Sequence, residues 1–467
     1  MKTYQDLQAL DSDRQRIDFV LDVIKEHESS VLYERATIAD EYIRGQNREA
    51  KRYVKELTTA TGKRIEDKWT PNNKTTRNIF RRLVWEEVQY LLGNGVKWGD
   101  EATKDKLGKD FDNRIREMAR YAKQAAVCFG FYNLDHLEVF PVRTANGGYA
   151  PLYDLENGAL RAGVRFWRMI DKSNDATIKT LRATLYEEDG YTNIMWVDNG
   201  EGKIITPKRA YKQISKTTPV DGTEIFDGDN YPSFPIVPMW GNSLKESELY
   251  LGIKDLIDAI DRLNNGYIND LDNAQIYWII KNADGMDNAD VAKFLDQLRA
   301  LQAATVDEGQ VEPVTVNIPY AAREALIPRL ENAVIDDYMG LNIREVISGG
   351  ATATQIRASY EPVNTKSADF EEQILDFLYK IMELAGIDDT PTFEPIPIVN
   401  VSEETNNTLA AYGAGVISRE YATERVLTLN GDIDRIEEVM EQMEKADMQR
   451  MGLAMAMSNA QNVGGEE

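Results

Sequence analysis

The chain has 467 residues, with 78 Asp or Glu against 54 Lys or Arg and a formal net charge of −24. That length supplies several cores, and that charge excludes a protein whose main task is gripping phosphate or an anionic membrane, since such affinity comes largely from Lys and Arg. One cysteine, Cys128, excludes an internal disulfide and suits a reducing compartment, and no apolar run approaches the roughly 20 residues of a membrane span.

The opening MKTYQDLQALDSD is charged where a signal peptide needs an apolar core, so a soluble, multi-domain protein made inside the cell is expected. Charge is unevenly spread. Residues 44–82 hold 12 Lys or Arg against 4 Asp or Glu, a net of +8. Residues 244–340 hold 8 against 18, a net of −10, and residues 403–467 hold 5 against 13, a net of −8. Such asymmetry points to surfaces with different partners.

In chain order, the first third reads as helical. In NNKTTRNIFRRLVWEEVQYLLGNGV, Phe80, Val84, Val88, Leu91 and Leu92 follow helical spacing, and Gly93 and Gly95 stop it. A second helix is predicted over 111–127, ending near Gly130. Short β-rich runs follow, among them FYNLDHLEVFPV, GVRFWRMI and YTNIMWVD, divided by Gly, Asn and Asp turns. They predict an antiparallel sheet from Gly130 to Tyr231, packed on the helices, with turns at Glu187 to Gly190 and at Asn199-Gly200.

After Pro232, Pro235 and Pro238 comes the pattern of one long helix, MWGNSLKESELYLGIKDLIDAIDRLNNGYINDLDN. Leu249, Ile253, Leu256, Ile257, Ile260, Leu263, Tyr267, Ile268 and Leu271 form its apolar stripe. Ser243 or Asn242 is the predicted cap, with Glu246 near the positive end of the dipole. The polar face carries Asp255, Asp258, Asp261 and Asp272 against Lys254 and Arg262.

QIYWIIKNA then reads as a strand, NADVAKFLDQLRAL as a short helix, and ATVDEGQVEPVTVNIP as a hairpin around Glu308-Gly309. A helix covers 320–339, with Pro328 starting, kinking or splitting it. Gly349 and Gly350 open a flexible stretch before a helix bent near Pro362, whose stripe is Phe370, Ile374, Phe377, Leu378 and Ile381. TPTFEPIPIV is an extended connector. From Ser402 the chain reads as helical, acidic and Met-rich, with a disordered polar tail.

Chemistry is scarce. His27 and His136 are the two histidines, and neither sits in HExxH or a Cys/His cluster, so no zinc site or His-based triad is expected. TGKR at Thr61 fails as a phosphate loop, since Leu57 stands where the first glycine belongs and Arg64 where the hydroxyl belongs. GDIDRIEE at Gly431 fails as a calcium loop because Glu437 occupies the glycine position. Met440, Met443, Met448, Met451 and Met455 read as a packed helix face. No catalytic residue, metal or cofactor is expected.

The order of elements is more specific than any motif. FPIVPMWGNSLKESELYLGIKDLIDAIDRLNNGYINDLDN, EYIRGQN at Glu41, NNKTTRNIFRRLVWEEVQYLLGNGV at Asn72, SGGATATQIRA, and GVISREYATERVL with its acidic helix resemble, in that order of mention, segments of the SPP1-like (Gp6-like) bacteriophage portal family. They look like its Pro-rich entry and Leu-Ile-Asp-Ala helix, two N-terminal wing segments, the internal loop and the C-terminal region. The chain departs from the family at Pro328, inside a stretch usually kept helical, and at the Gly349 loop, which lacks lysine.

The resemblance implies an α+β, mainly helical portal fold assembled as a dodecameric ring. Its regions would be an N-terminal segment 1–24, wing 25–243, stem helix 244–274, clip 275–319, second stem helix 320–342, tunnel loop 343–357, kinked wing helix and connector 358–399, and crown and tail 400–467. It implies a channel for genome packaging and ejection at one capsid vertex of the virion, assembled in the host bacterial cytoplasm. Implied partners are the capsid and scaffolding proteins, the terminase large subunit, head-completion or adaptor proteins, and duplex DNA passing non-specifically, with no membrane.

On that resemblance Asp255, Asp258, Asp272, Gly349, Gly350, Thr352, Gln355 and Arg357 would line the channel. Tyr277, Trp278, Asp284, Asp287 and Glu308 would serve clip docking. The Asp face would look into the bore or onto solvent and repel phosphate, with the basic segment 44–82 on the outer wing. A minor head or adaptor protein without a DNA channel is the alternative. A nuclease or nucleotide hydrolase would need a phosphate loop or metal site that the sequence lacks.

Overall fold

The computed structural model describes residues 2–58, 62–68, 70–100, 102–171, 178–198, 200–217, 225–272, 277–281, 310–314, 320–342, 355, 358–395, 401–430, 432, 435–436, 438–446 and 448–449. The fold is α+β and about half helical. It divides into a larger unit, residues 1–342 with 360–395, and a smaller one, residues 343–359 with 396–467.

In the larger unit the helices are α1 (Tyr4–Gln8), α2 (Asp13–Glu28), α3 (Val31–Ile43), α4 (Arg48–Arg52), α5 (Ile79–Leu92), α6 (Ala102–Leu107), α7 (Phe111–Ala125), α8 (Ile253–Asp272), α9 (Tyr320–Asp337) and α10 (Glu361–Ala385). Between α7 and α8 lie β4 (Val127–Asn133), β5 (His136–Pro141), β6 (Gly147–Tyr153), β7 (Leu160–Asp171), β8 (Ile178–Glu187), β9 (Gly190–Val197), β10 (Lys203–Arg209), β11 (Lys212–Thr217), β12 (Ile225–Asp229) and β13 (Ile236–Trp240). Small pairs complete it: β1 (Glu56–Thr58) with β2 (Arg64–Glu66), β3 (Val96–Lys97) with β16 (Thr392–Phe393), and β14 (Tyr277–Lys281) with β15 (Gln310–Val314).

The predicted single sheet is three, the smallest being the two-stranded pair β11-β12. A five-stranded antiparallel sheet runs β10-β9-β8-β7-β6, and a three-stranded one runs β13-β4-β5. The division follows from strand alternation. Ala150, Leu152, Val164, Phe166, Leu185 and Trp196 face one way and meet Ile17, Val20, Val23 and Ile24 of α2. Tyr149 and Tyr186 face the other way and pack on Phe131 and Phe140 of the smaller sheet, with Tyr149 and Phe129 ring centres 4.6 Å apart. Both faces of the large sheet are therefore covered, one by a helix and one by a second sheet. The Glu187 to Gly190 turn forms as expected. Gly190 holds φ +140, and a Cβ there would lie 2.1 Å from the Arg209 carbonyl oxygen.

Two prolines are placed by the structure within helices. Pro328 neither starts nor splits α9, which runs unbroken through it. Pro328 and Glu324, whose carbonyl loses its donor, are both exposed, so water can replace the missing bond. Pro362 does not bend a helix; it stands in the first turn of α10, where an absent N–H costs nothing. In the smaller unit, α11 (Val401–Gly413) and α12 (Arg419–Asn430) pack on each other.

Candidate functional site

The acidic helix begins later than its pattern suggests. Asn242 folds residues 242–247 into a turn, accepting from the Glu246 amide at 3.2 Å and donating to the Glu246 carbonyl at 2.8 Å. Ser247 caps a single 3-10 turn, Glu248–Tyr250. Gly252, at φ +110, then redirects the chain into α8. Ser243 and Asn242 are thus not caps of the long helix, and Glu246 pairs with Arg35 instead of serving its dipole.

Glu248 enters a buried charge node. Lys123 of α7 is fully buried, with its Nζ 2.6 Å from Glu87 of α5 and 3.1 Å from Glu248. Lys366 of α10 lies 2.7 Å from the other Glu248 oxygen and 3.6 Å from Glu87. Tyr338, just past α9, donates to Glu87 at 2.6 Å, and its carbonyl accepts from Lys366 at 2.9 Å. Two cations and two anions cancel, which makes their burial tolerable.

Burial alone would lower the Lys123 pKa, but Glu87 and Glu248 more than offset it and leave it raised. Burial alone would raise Glu248, but Lys123 and Lys366 reverse this and hold it below the ordinary value. Five segments converge here: α5, α7, the 3-10 turn, the end of α9 and the start of α10. Sequence reasoning missed the node. The available signal was Glu87 inside the Val84, Val88, Leu91 stripe.

Along α8 the acidic face is largely occupied. Residues 73–77 lie extended and antiparallel beside it. The Asn73 amide donates to Asn269 at 2.7 Å, the Thr75 amide to Asn265 at 2.8 Å, and the Arg77 amide to Asp261 at 3.0 Å. Asn265 also donates back to the Thr75 carbonyl at 2.9 Å, reading both backbone groups as a neighbouring strand would. The spacing explains the match. Alternate residues of an extended chain advance about 6.6 Å, and four helical residues about 6.0 Å. Asp272 accepts from the Asn73 side chain at 2.6 Å.

Asp258 and Asp261 therefore do not look onto a bore or solvent. Asp258 is 7% exposed, accepts from the Tyr42 hydroxyl, and pairs with Lys254 at 2.7 Å. Asp261 is 1% exposed and also accepts from Asn47 at 2.6 Å. Burial pushes the Asp261 carboxyl up to about 6; the bonds from Asn47 and the Arg77 amide oppose this, and Asp258 adds to it. Part of the basic segment 44–82, residues 73–77, is this strap on α8.

The remaining predicted residues separate cleanly. Asp255 and Asp272 are exposed on α8. Tyr277 and Trp278 lie on β14, opposite Val314 and Pro313 of β15. Gln310–Val314, the second arm of the predicted hairpin around Glu308-Gly309, pairs with β14, and the first arm and turn lie outside the described residues. Gln355 is exposed. Gly349, Gly350, Thr352, Arg357, Asp284, Asp287 and Glu308 lie outside the described residues, as does the predicted helix NADVAKFLDQLRAL. Along the apolar stripe, Leu249, Ile253, Ile257 and Ile260 are buried, while Leu263, Tyr267 and Ile268 are half-buried and Leu271 is exposed. Among the described residues no His, Cys, Asp or Glu cluster is arranged to hold a metal, and no helix is long and apolar enough to cross a membrane.

The family model for phage portal proteins of the SPP1 Gp6-like type matches residues 22–451. The portal protein of Bacillus phage SPP1 is 23% identical over 433 residues, covering 84% of this chain and 80% of its own length. That of Clostridium phage phiCD119 is 22% identical over 335 residues, covering 67% of this chain and 70% of its own. A solved structure, the neck of an empty GTA particle computed with C6 symmetry, aligns with 76% of this chain and 90% of its own at 12% identity and a TM-score of 0.39, a likeness too loose to carry weight.

Proposed function

This chain belongs to the SPP1 Gp6-like family of phage portal proteins, which are structural head–tail connectors and not enzymes, and we propose that it forms a cyclic ring of twelve copies at one capsid vertex. Its central channel passes the genome during packaging and ejection. The observation that carries this reading is the family match over residues 22–451, which takes in both α8 and α9 and the strands β14 and β15.

In the proposed ring, α8 and α9 form the stem. The half-buried Leu263, Tyr267 and Ile268 and the exposed Leu271 fit packing against a neighbour, since burial in one copy leaves the end of the stripe open. Asp255 and Asp272 face the channel, while Asp258 and Asp261 hold the strap in place. Residues 275–319 form the clip, and Asp284, Asp287 and Glu308 dock the terminase large subunit during packaging and head-completion proteins afterwards. Residues 343–357 approach the DNA, with Gln355 and Arg357 as contacts. Capsid and scaffolding proteins meet the outer surface.

Electron microscopy of the purified full chain tests this reading. Rings with a central channel and twelvefold symmetry are expected; a compact monomer at every protein concentration and salt would overturn it. Charge reversal at Asp284, Asp287 and Glu308 should abolish packaging or neck attachment with rings intact, and normal packaging and attachment would overturn the docking role.

A further inference from the structure

The outer face of α5 and α7 gathers more arginines than its acids pair with, on a chain whose net charge is −24. Arg81 and Trp85 stand one turn apart on α5, and Arg116 and Arg120 one turn apart on the adjacent α7. The guanidinium carbons of Arg81 and Arg120 lie 5.3 Å and 4.9 Å from the centre of the Trp85 ring, so two cations hold one half-buried indole. Arg116 bonds only its own helix, donating to the Asp112 carbonyl at 3.3 Å and to Asn113 at 2.7 Å.

Among the described residues none of the three arginines has an ion pair. The acids on the same helices are engaged elsewhere: Glu117 by Arg114 at 3.1 Å, Glu86 by Arg82 at 3.7 Å, and Asp112 by Lys104 at 3.2 Å. The Arg120 Nε is out of solvent and has no acceptor. A donor in that state is destabilising until an acceptor arrives. Burial, and then repulsion from Arg116 and Arg81, hold the Arg120 pKa below its ordinary value, against a smaller opposing pull from Glu117. A rigid indole flanked by planar guanidinium groups is the composition that dominates protein interfaces, and Arg is suited to receive carboxylates in pairs.

We propose that Arg81, Trp85, Arg116 and Arg120 form a subunit–subunit contact that receives carboxylates from a second copy of this chain. The inference rests on the ring reading above. A closed ring joins two different faces of each copy, so a basic face on one needs an acidic face on the next. This chain offers such acids away from the proposed channel face, with Asp336, Asp337 and Glu361 all exposed.

The test is sedimentation of the full chain across protein and salt concentration, with circular dichroism to verify folding. Arg81→Glu combined with Arg120→Glu should raise the concentration of half-assembly at least about tenfold. Arg114→Gln, on the same helix but paired with Glu117, should leave it unchanged. Should the double reversal fail to fold, Arg81→Gln combined with Arg116→Gln is the gentler variant. It should still weaken assembly and flatten its salt dependence. Folded variants that assemble like wild type, with the same salt dependence, overturn the inference. So does a double reversal that loses duplex DNA binding while assembling normally, since the face would then serve phosphate. Wild-type protein that never assembles overturns the ring reading itself.

Discussion

Asp255 and Asp258 stand three positions apart on α8 and do opposite things. Asp255 is exposed, whereas Asp258 is held by Tyr42 and Lys254. Asp255→Lys should change stability by less than about 0.5 kcal/mol, as exposed charge swaps do. Asp258→Lys should cost about 3 kcal/mol or more, because it buries a second cation against Lys254. Thermal melts of the two variants decide the point, and equal losses would show that Asp258 is not buried.

Asp261 makes a separate prediction. Its folded pKa of about 6 lies above its ordinary 3.8. The folded state then binds the proton more tightly, so this group's contribution to stability falls as pH rises through that window and stays low above it. Asp261→Asn cannot titrate. Its stability relative to wild type should drop by about 1–2 kcal/mol between about pH 7.5 and about pH 4.5. A constant difference across those conditions would show an ordinary carboxylate.

The strap and the node are what the elements add. Asn265 both accepts from and donates to Thr75, which an aspartate cannot do. Asn265→Asp should cost about 1 kcal/mol. Asn265→Ala should in addition speed hydrogen exchange at the amides of Asn73, Thr75 and Arg77, and unchanged exchange there would mean that the strap holds without the ladder. At the node, Glu248→Gln leaves Lys123 and Lys366 with one balancing carboxylate and should cost about 3–5 kcal/mol. A double-mutant cycle with Lys366→Met should show coupling above about 1 kcal/mol, and additive losses would argue against a shared network.

Periodicity made the helices legible, and alternation made the strands legible. Neither could say which acids on α8 were free. Asp255 and Asp258 differ by what lies opposite them, and that partner sits far upstream in an extended segment with no period of its own. The trace it left was electrical: a +8 segment at 44–82 and a −10 segment at 244–340, which the fold lays side by side in part. Pro328 and Pro362 show the same limit, since only position within the helix tells a tolerated break from a start.

For the whole molecule, the strap makes the acidic face of α8 a narrower electrostatic surface than composition suggests. Asp255 and Asp272 are left to repel DNA in the proposed channel. Asp255→Lys with Asp272→Lys should leave the ring folded and create DNA affinity, with log K falling against log salt more steeply by about 0.9 per new phosphate contact. Binding identical to wild type at every salt concentration would remove these two positions from the channel.

The node also bears on the excursion of residues 343–359, which the chain makes between leaving the larger unit at 342 and re-entering it at 360. Tyr338 on one flank and Lys366 on the other are bonded directly, at 2.9 Å, so the mouth of the excursion is already shut before its contents matter. Such a segment behaves thermodynamically as a closed circle, and doubling the length of a closed loop adds only about 0.6 kcal/mol of closure entropy. A change in the length of residues 343–359 should therefore cost the larger unit little.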